Sequence, residues 1–250
     1  MKFLKYLLIF ILGLFVVGFV AVKMMSEDLP AGGNEVEADR VAKEMMAALN
    51  KSAFDNIPYL RWEFFRPGQK YFWDKNKNAA VIEWGGNHKV ILDLNSLKAR
   101  AYVDGAAQSG AALDEMKEKA WSLWANDSFW MIAPFKAFDP GTERKMVALD
   151  DVAQPGDKGL MVSYTSGGVT PGDSYLWYLD ENYRPYKWKM WTSILPVQGM
   201  ETSWEGWEEH GGAWLSTVHN FAGVKEAKLN QVKAGANWSE FGYETDPFLQ

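Results

Sequence analysis

Residues Tyr59 to Trp84, YLRWEFFRPGQKYFWDKNKNAAVIEW, admit few folds. Leu60, Trp62 and Phe64 share one parity, with Arg61 and Glu63 on the other. Tyr71 and Trp73 alternate with Lys70, Phe72 and Asp74, and Ala80, Ile82 and Trp84 alternate with Ala79, Val81 and Glu83. A period of two marks strands with one buried face. The breaks at Pro67-Gly68, Asn76-Lys77-Asn78 and Gly85-Gly86-Asn87 carry the residues that tight turns need. Three antiparallel strands are therefore expected, continuing into 88–94 and 99–103.

The rest of the chain extends this pattern. Asn34 and Glu37 have capping-box spacing, and Val41, Met45 and Leu49 follow at intervals of four. A helix is expected from Asn34 to about Asn50, packed on the sheet. Leu113, Met116, Ala120, Leu123 and Trp124 predict a second helix over 111–124. Asn126, Asp127 and Ser128 read as caps for a short apolar helix, FWMIAPF, stopped by Pro134. Seven further strands are expected at 144–149, 159–164, 174–179, 186–191, 201–208, 214–221 and 227–233, and residues 234–250 read as a strap or tail. About a dozen strands with a few helices describe an α+β fold that is mainly β. Its antiparallel sheet is too large to stay flat and should curl into a half-barrel, with helices over the concave face.

Composition narrows the function. No cysteine is present, which excludes disulfides, thiolate metal sites and a lipidated N-terminal Cys. Tyr6 to Val22 form 17 uncharged apolar positions, preceded by Lys2 and Lys5. That length is at the short end for a membrane span and long for a signal peptide. No well-placed small-residue cleavage site follows, so the uncleaved anchor is the favoured alternative. Residues 1–25 are then an N-terminal membrane helix, 26–33 a short polar linker and 34–250 the domain. The positive-inside rule leaves the N-terminus in the cytoplasm and the domain in the periplasm, on a single-pass inner-membrane protein. Without the anchor, 23 basic residues face 32 acidic ones, a net of −9. That charge disfavours nucleic acid and an electrostatic grip on anionic lipid.

No catalytic or cofactor set stands out. His88, His210 and His219 have no second ligand at metal spacing, and neither GxSxG nor CxxC occurs. His219 lies inside an expected strand, where a partnered structural role is the plainer expectation. The Gly-rich stretch TSGGVTPGDS is flanked by strands, whereas a phosphate cradle needs a helix start. Neither Asp139-Pro140-Gly141 nor Asp150-Asp151 makes an acid–base pair from spacing alone. Arg66 has the parity of Leu60, Trp62 and Phe64, so its charged head must find a partner or reach the rim.

Phe64-Phe65-Arg66-Pro67 followed by Tyr71-Phe72-Trp73, and later Phe129-Trp130-Met131-Ile132-Ala133, occur in a recognisable order of elements. In this the chain resembles the LolA-like family of periplasmic lipoprotein carriers, loosely from Asn34 to about Phe221. The resemblance implies a half-barrel that receives acyl chains in a concave apolar cavity, with Arg66 as the functional arginine beside it. The chain departs from that family in its anchor and in longer, Trp-richer loops, which do not suit a free shuttle. The expected ligand set is Trp62, Phe64, Arg66, Tyr71, Trp73, Ile82, Trp84, Trp130 and Met131, with no cofactor. The alternative is an accessory subunit of an inner-membrane complex, using Tyr175, Trp177 and Trp191 as exposed-parity interface anchors.

Overall fold

The alternation around Tyr59 becomes three antiparallel strands, β1 (Tyr59–Glu63), β2 (Lys70–Asp74) and β3 (Ala79–Trp84), followed by β4 (His88–Asp93), β5 (Ala99–Val103) and the two-residue β6 (Ala106–Ala107). They come from a computed structural model that describes residues 22–66, 68–149, 154–166, 170–221 and 225–249. Residues 1–21 of the expected anchor lie outside these residues. Among the described residues, no helix is long and apolar enough to cross a membrane.

Register confirms the parity. Trp62, Tyr71, Ile82, Val90 and Ala101 are successive cross-strand partners, and all are buried on the concave face. The opposite row, Phe72, Val81 and Ile91, is buried too. It is covered by the C-terminal strap, whose Phe241 and Phe248 rings lie 4.8 and 5.6 Å from Phe72.

The second sheet runs β7 (Thr142–Val147), β8 (Lys158–Tyr164), β9 (Ser174–Leu179), β10 (Pro185–Trp191) and β11 (Met200–Ser203). A third holds β12 (Glu205–His210), β13 (Ala213–Phe221) and β14 (Lys225–Lys228), and β15 (Asn230–Gly235) joins the first sheet beside β1. Two expected single strands are each divided. The run 201–208 leaves the second sheet at Trp204 and enters the third, and the run 227–233 leaves the third at Leu229 and enters the first. Both pivot residues are buried. Strands that switch sheets in this way make corners. The three antiparallel sheets, fifteen strands among the described residues, form a strongly curved, unclosed half-barrel with helices.

Helix α1 (Glu35–Ala48) begins as expected, with the Asn34 side chain accepting from the Glu37 amide at 3.2 Å. It buries Ala38, Val41, Ala42 and Met45 in one apolar cluster with Leu160, Val162 and Trp177 of the second sheet. A short helix α2 (Lys51–Asn56), capped by Asn50, follows it. Helix α3 corrects the sequence expectation: it runs unbroken over Ala111–Ile132 and ends in a 3-10 turn, Ala133–Lys136. Asn126 and Asp127 do not cap because their side chains are committed elsewhere. The Asp127 carboxylate accepts from the Tyr71 hydroxyl and, at 2.8 Å, from the Asn126 amide.

Residues 26–33, expected as a polar linker, are bound to the second sheet. The Glu27 amide donates to the Gln198 carbonyl at 2.9 Å, the Trp191 indole donates to the Glu27 carbonyl at 2.9 Å, and Gly33 exchanges two backbone bonds with Met146. A Cβ on Gly32 would lie 2.9 Å from the Met146 carbonyl, so this close approach needs glycine. Tyr175, Trp177 and Trp191 do not present themselves to a partner: all three are buried. β9 is the middle strand of its sheet, and both of its faces are covered, which parity alone does not show.

Candidate functional site

Between α3 and the second sheet lies a cavity of about 670 Å³. Helix α3 contributes Trp121, Trp124, Ala125, Phe129 and Trp130, and the second sheet contributes Tyr164, Tyr175, Trp188 and Met190. Ile194 and Leu195, from the loop at 193–199, close one side. Phe64, Phe65 and Arg66 reach it from the end of β1. Aromatic rings are thus the largest class in the walls, and α3 and the inward rows of β9 and β10 present them through their 3.6- and 2-residue periods.

The expected ligand set divides in two. Phe64, Arg66, Trp73 and Trp130 line the cavity. Trp62, Tyr71, Ile82, Trp84 and Met131 are packed behind it, each at most 6% exposed. Trp124 occupies the space over the first sheet, with ring centroids 5.4 Å from Trp62 and 5.3 Å from Trp73. Trp84 stacks on His88 at 5.2 Å, away from the cavity. The sequence reading missed Phe129, Tyr164, Trp188, Met190 and Ile194. Trp188 and Met190 share a parity on β10, and that alternation was the available signal.

Polar side chains also line the cavity, among them Asn78, Asn126, Ser128, Thr170 and Asp173. Asp173 accepts from the Ser193 amide at 3.1 Å, from the Thr170 hydroxyl at 2.5 Å and from the Tyr175 hydroxyl at 3.4 Å. It thereby ties two loops of the rim together. Lys136 pairs with Asp139, and Arg66 is exposed. Behind the wall, burial raises the Asp127 pKa, opposed by its bonds to Tyr71 and Asn126 and by the Arg66 charge. Burial and the Asp127 carboxylate together push the Tyr71 hydroxyl well up. His219 is also behind the wall, edge-on to Trp130 at 5.3 Å and to Trp204 at 4.7 Å. Its Nδ1–H donates to the Ser203 carbonyl at 3.1 Å, and burial pushes its pKa down to about 4, so it is neutral at pH 7. Among the described residues, no cluster of three His, Asp or Glu could hold a metal ion. The arrangement offers an apolar volume with a polar rim, suited to enclosing an apolar body.

No protein-family model matches the chain, and no curated protein matches its sequence. Among solved structures, it is similar to the crystal structure of a DUF1329 family protein from Desulfovibrio piger. Identity is 9%, 85% of this chain and 98% of that one are covered, and the TM-score is 0.46.

Proposed function

We propose that residues 34–250 are a non-catalytic periplasmic binding domain, related to the LolA-like carriers and held at the inner membrane by the N-terminal helix. It takes the acyl chain of a lipid, or a similarly elongated apolar ligand, into the cavity under α3. The observation that carries this is the cavity itself. Its volume of about 670 Å³ falls within the range of small-molecule sites, and aromatic rings are the largest class in its walls. Each methylene removed from water contributes about 0.8 kcal/mol. Ten would supply about 8 kcal/mol, from which association and chain ordering subtract several. A chain of about fifteen methylenes supplies about 12 kcal/mol and, after a cost of about 4, binds on the micromolar scale. An accessory role in an inner-membrane complex has less support, because Tyr175, Trp177 and Trp191 are buried.

Ala125 lines the cavity on α3 and is only partly buried, so a larger side chain there extends into open volume. The Ala125→Trp variant should bind N-phenyl-1-naphthylamine at least about tenfold more weakly, a loss of about 1.4 kcal/mol. Its thermal midpoint should be unchanged or raised. Palmitate should displace the probe from the wild-type protein. Equal affinity in the two proteins, or no probe uptake by either, would remove the cavity as a binding site.

A further inference from the structure

We infer that the cavity rim formed by the loop at 193–199 rests on the lipid bilayer, so that the cavity mouth opens against the membrane surface. This rests on the proposed anchoring of the N-terminal helix.

The argument begins with one hydroxyl. Val22 is the last residue of the apolar run that starts at Tyr6. The Ser26 hydroxyl donates to the Val22 carbonyl at 2.8 Å and accepts from the Gln198 amide at 3.1 Å. The end of the apolar run is therefore two hydrogen bonds from the rim loop. Gln198 in turn braces that loop, its side-chain amide donating to the carbonyls of Thr192 at 3.0 Å and Leu195 at 2.9 Å. The Glu27 backbone makes a further bond to Gln198, and its carboxylate pairs with Lys189. The tether does not lead to the domain through slack chain; it is fastened to the cavity rim. A membrane span ending at Val22 puts that rim within a few residues' rise of the interface, each about 1.5 Å in a helix.

The exposed apolar side chains fit this placement. Ile194 lines the cavity, yet is 64% exposed. Met24 and Met25, in the turn before Ser26, are 82% and 68% exposed. Such side chains gain from entering the acyl boundary of a bilayer. The net charge of −9 over residues 26–250 gives no attraction to anionic headgroups, so the contact is apolar.

The absence of cysteine allows a single-label test. Full-length Ile194→Cys and Ser239→Cys, the second on the convex-face strap, would each carry a nitroxide. Both would be reconstituted in vesicles of phosphatidylethanolamine and phosphatidylglycerol. Collision rates with oxygen and with a water-soluble nickel chelate would then be compared. The expected result is an oxygen-to-nickel ratio several-fold higher at 194 than at 239. Equal, water-like ratios would overturn the inference. So would a label at 194 shielded from both reagents in a dimeric protein, which would mean that a second copy covers the loop. The difference in naphthylamine uptake between vesicles bearing the unlabelled wild-type protein and vesicles bearing Ala125→Trp, which cancels partition into the lipid, separates the two claims. A difference with a water-exposed 194 label leaves the binding function standing and sinks the membrane contact. A lipid-exposed label without that difference does the reverse.

Discussion

Replacing Trp188 by alanine is expected to cost about 3–5 kcal/mol, the usual range for a buried tryptophan. Its side chain is fully buried, with ring centroids 4.7 Å from Tyr175, 4.8 Å from Trp177 and 4.9 Å from Trp204. Trp130 meets it edge-on at 5.3 Å. Removing this hub leaves a void that merges with the cavity it lines, and the surrounding rings belong to three elements that cannot all collapse inward. The thermal midpoint should fall by roughly 10 °C, given about 2–4 °C per kcal/mol at this chain length. Trp188→Phe should cost only a fraction of that, since the Trp188 indole N–H has no hydrogen-bond partner among the described residues. Urea unfolding of both variants checks this. A loss below about 1 kcal/mol for the alanine variant would mean that the cluster is loosely packed.

Acidification should destabilise the protein through His219. Its folded pKa of about 4 lies below the ordinary value of 6.5, so the unfolded chain binds more protons between those two pH values. Stability is therefore intact above pH 6.5 and falls as the pH drops towards 4. At about 1.4 kcal/mol per pKa unit the loss is about 3 kcal/mol across the window. Asp127 acts with the opposite sign: its raised folded pKa means that the cost of burying its charge is relieved as the pH falls through that value. Urea midpoints at pH 7 and pH 4 should diverge strongly in the wild type and much less in His219→Gln. Parallel losses in the two proteins would place the acid sensitivity elsewhere.

The sequence made the first sheet legible because a half-buried strand writes its burial in alternate residues, as at Trp62, Tyr71 and Ile82. It did not show where a strand changes sheets. The runs through Trp204 and Leu229 keep strand character on both sides of the pivot, so each reads as one element. The continuity of α3 was hidden for a different reason. Asn126, Asp127 and Ser128 are cap formers locally, and the hydroxyl that engages Asp127 comes from Tyr71, 56 positions away. The cavity was half legible. Parity assigns Trp62, Tyr71 and Ile82 to the concave face, but depth depends on how closely α3 approaches, and Trp124 fills that gap. The buried setting of Trp177 and Trp191 likewise depends on layers contributed by distant segments, among them residues 26–33.

The two pivots at Trp204 and Leu229 also govern how the domain can deform. Each joins neighbouring sheets through a single residue of continuous backbone, and each backbone amide is held, by the Tyr186 carbonyl at 2.7 Å and the Thr217 carbonyl at 2.8 Å. The large sheets are therefore stitched to the small one and cannot swing apart like jaws without breaking ladder bonds on both sides of a stitch. The molecule is mechanically a cup with fixed walls rather than a clamp. The volume of the cup is set when the chain folds.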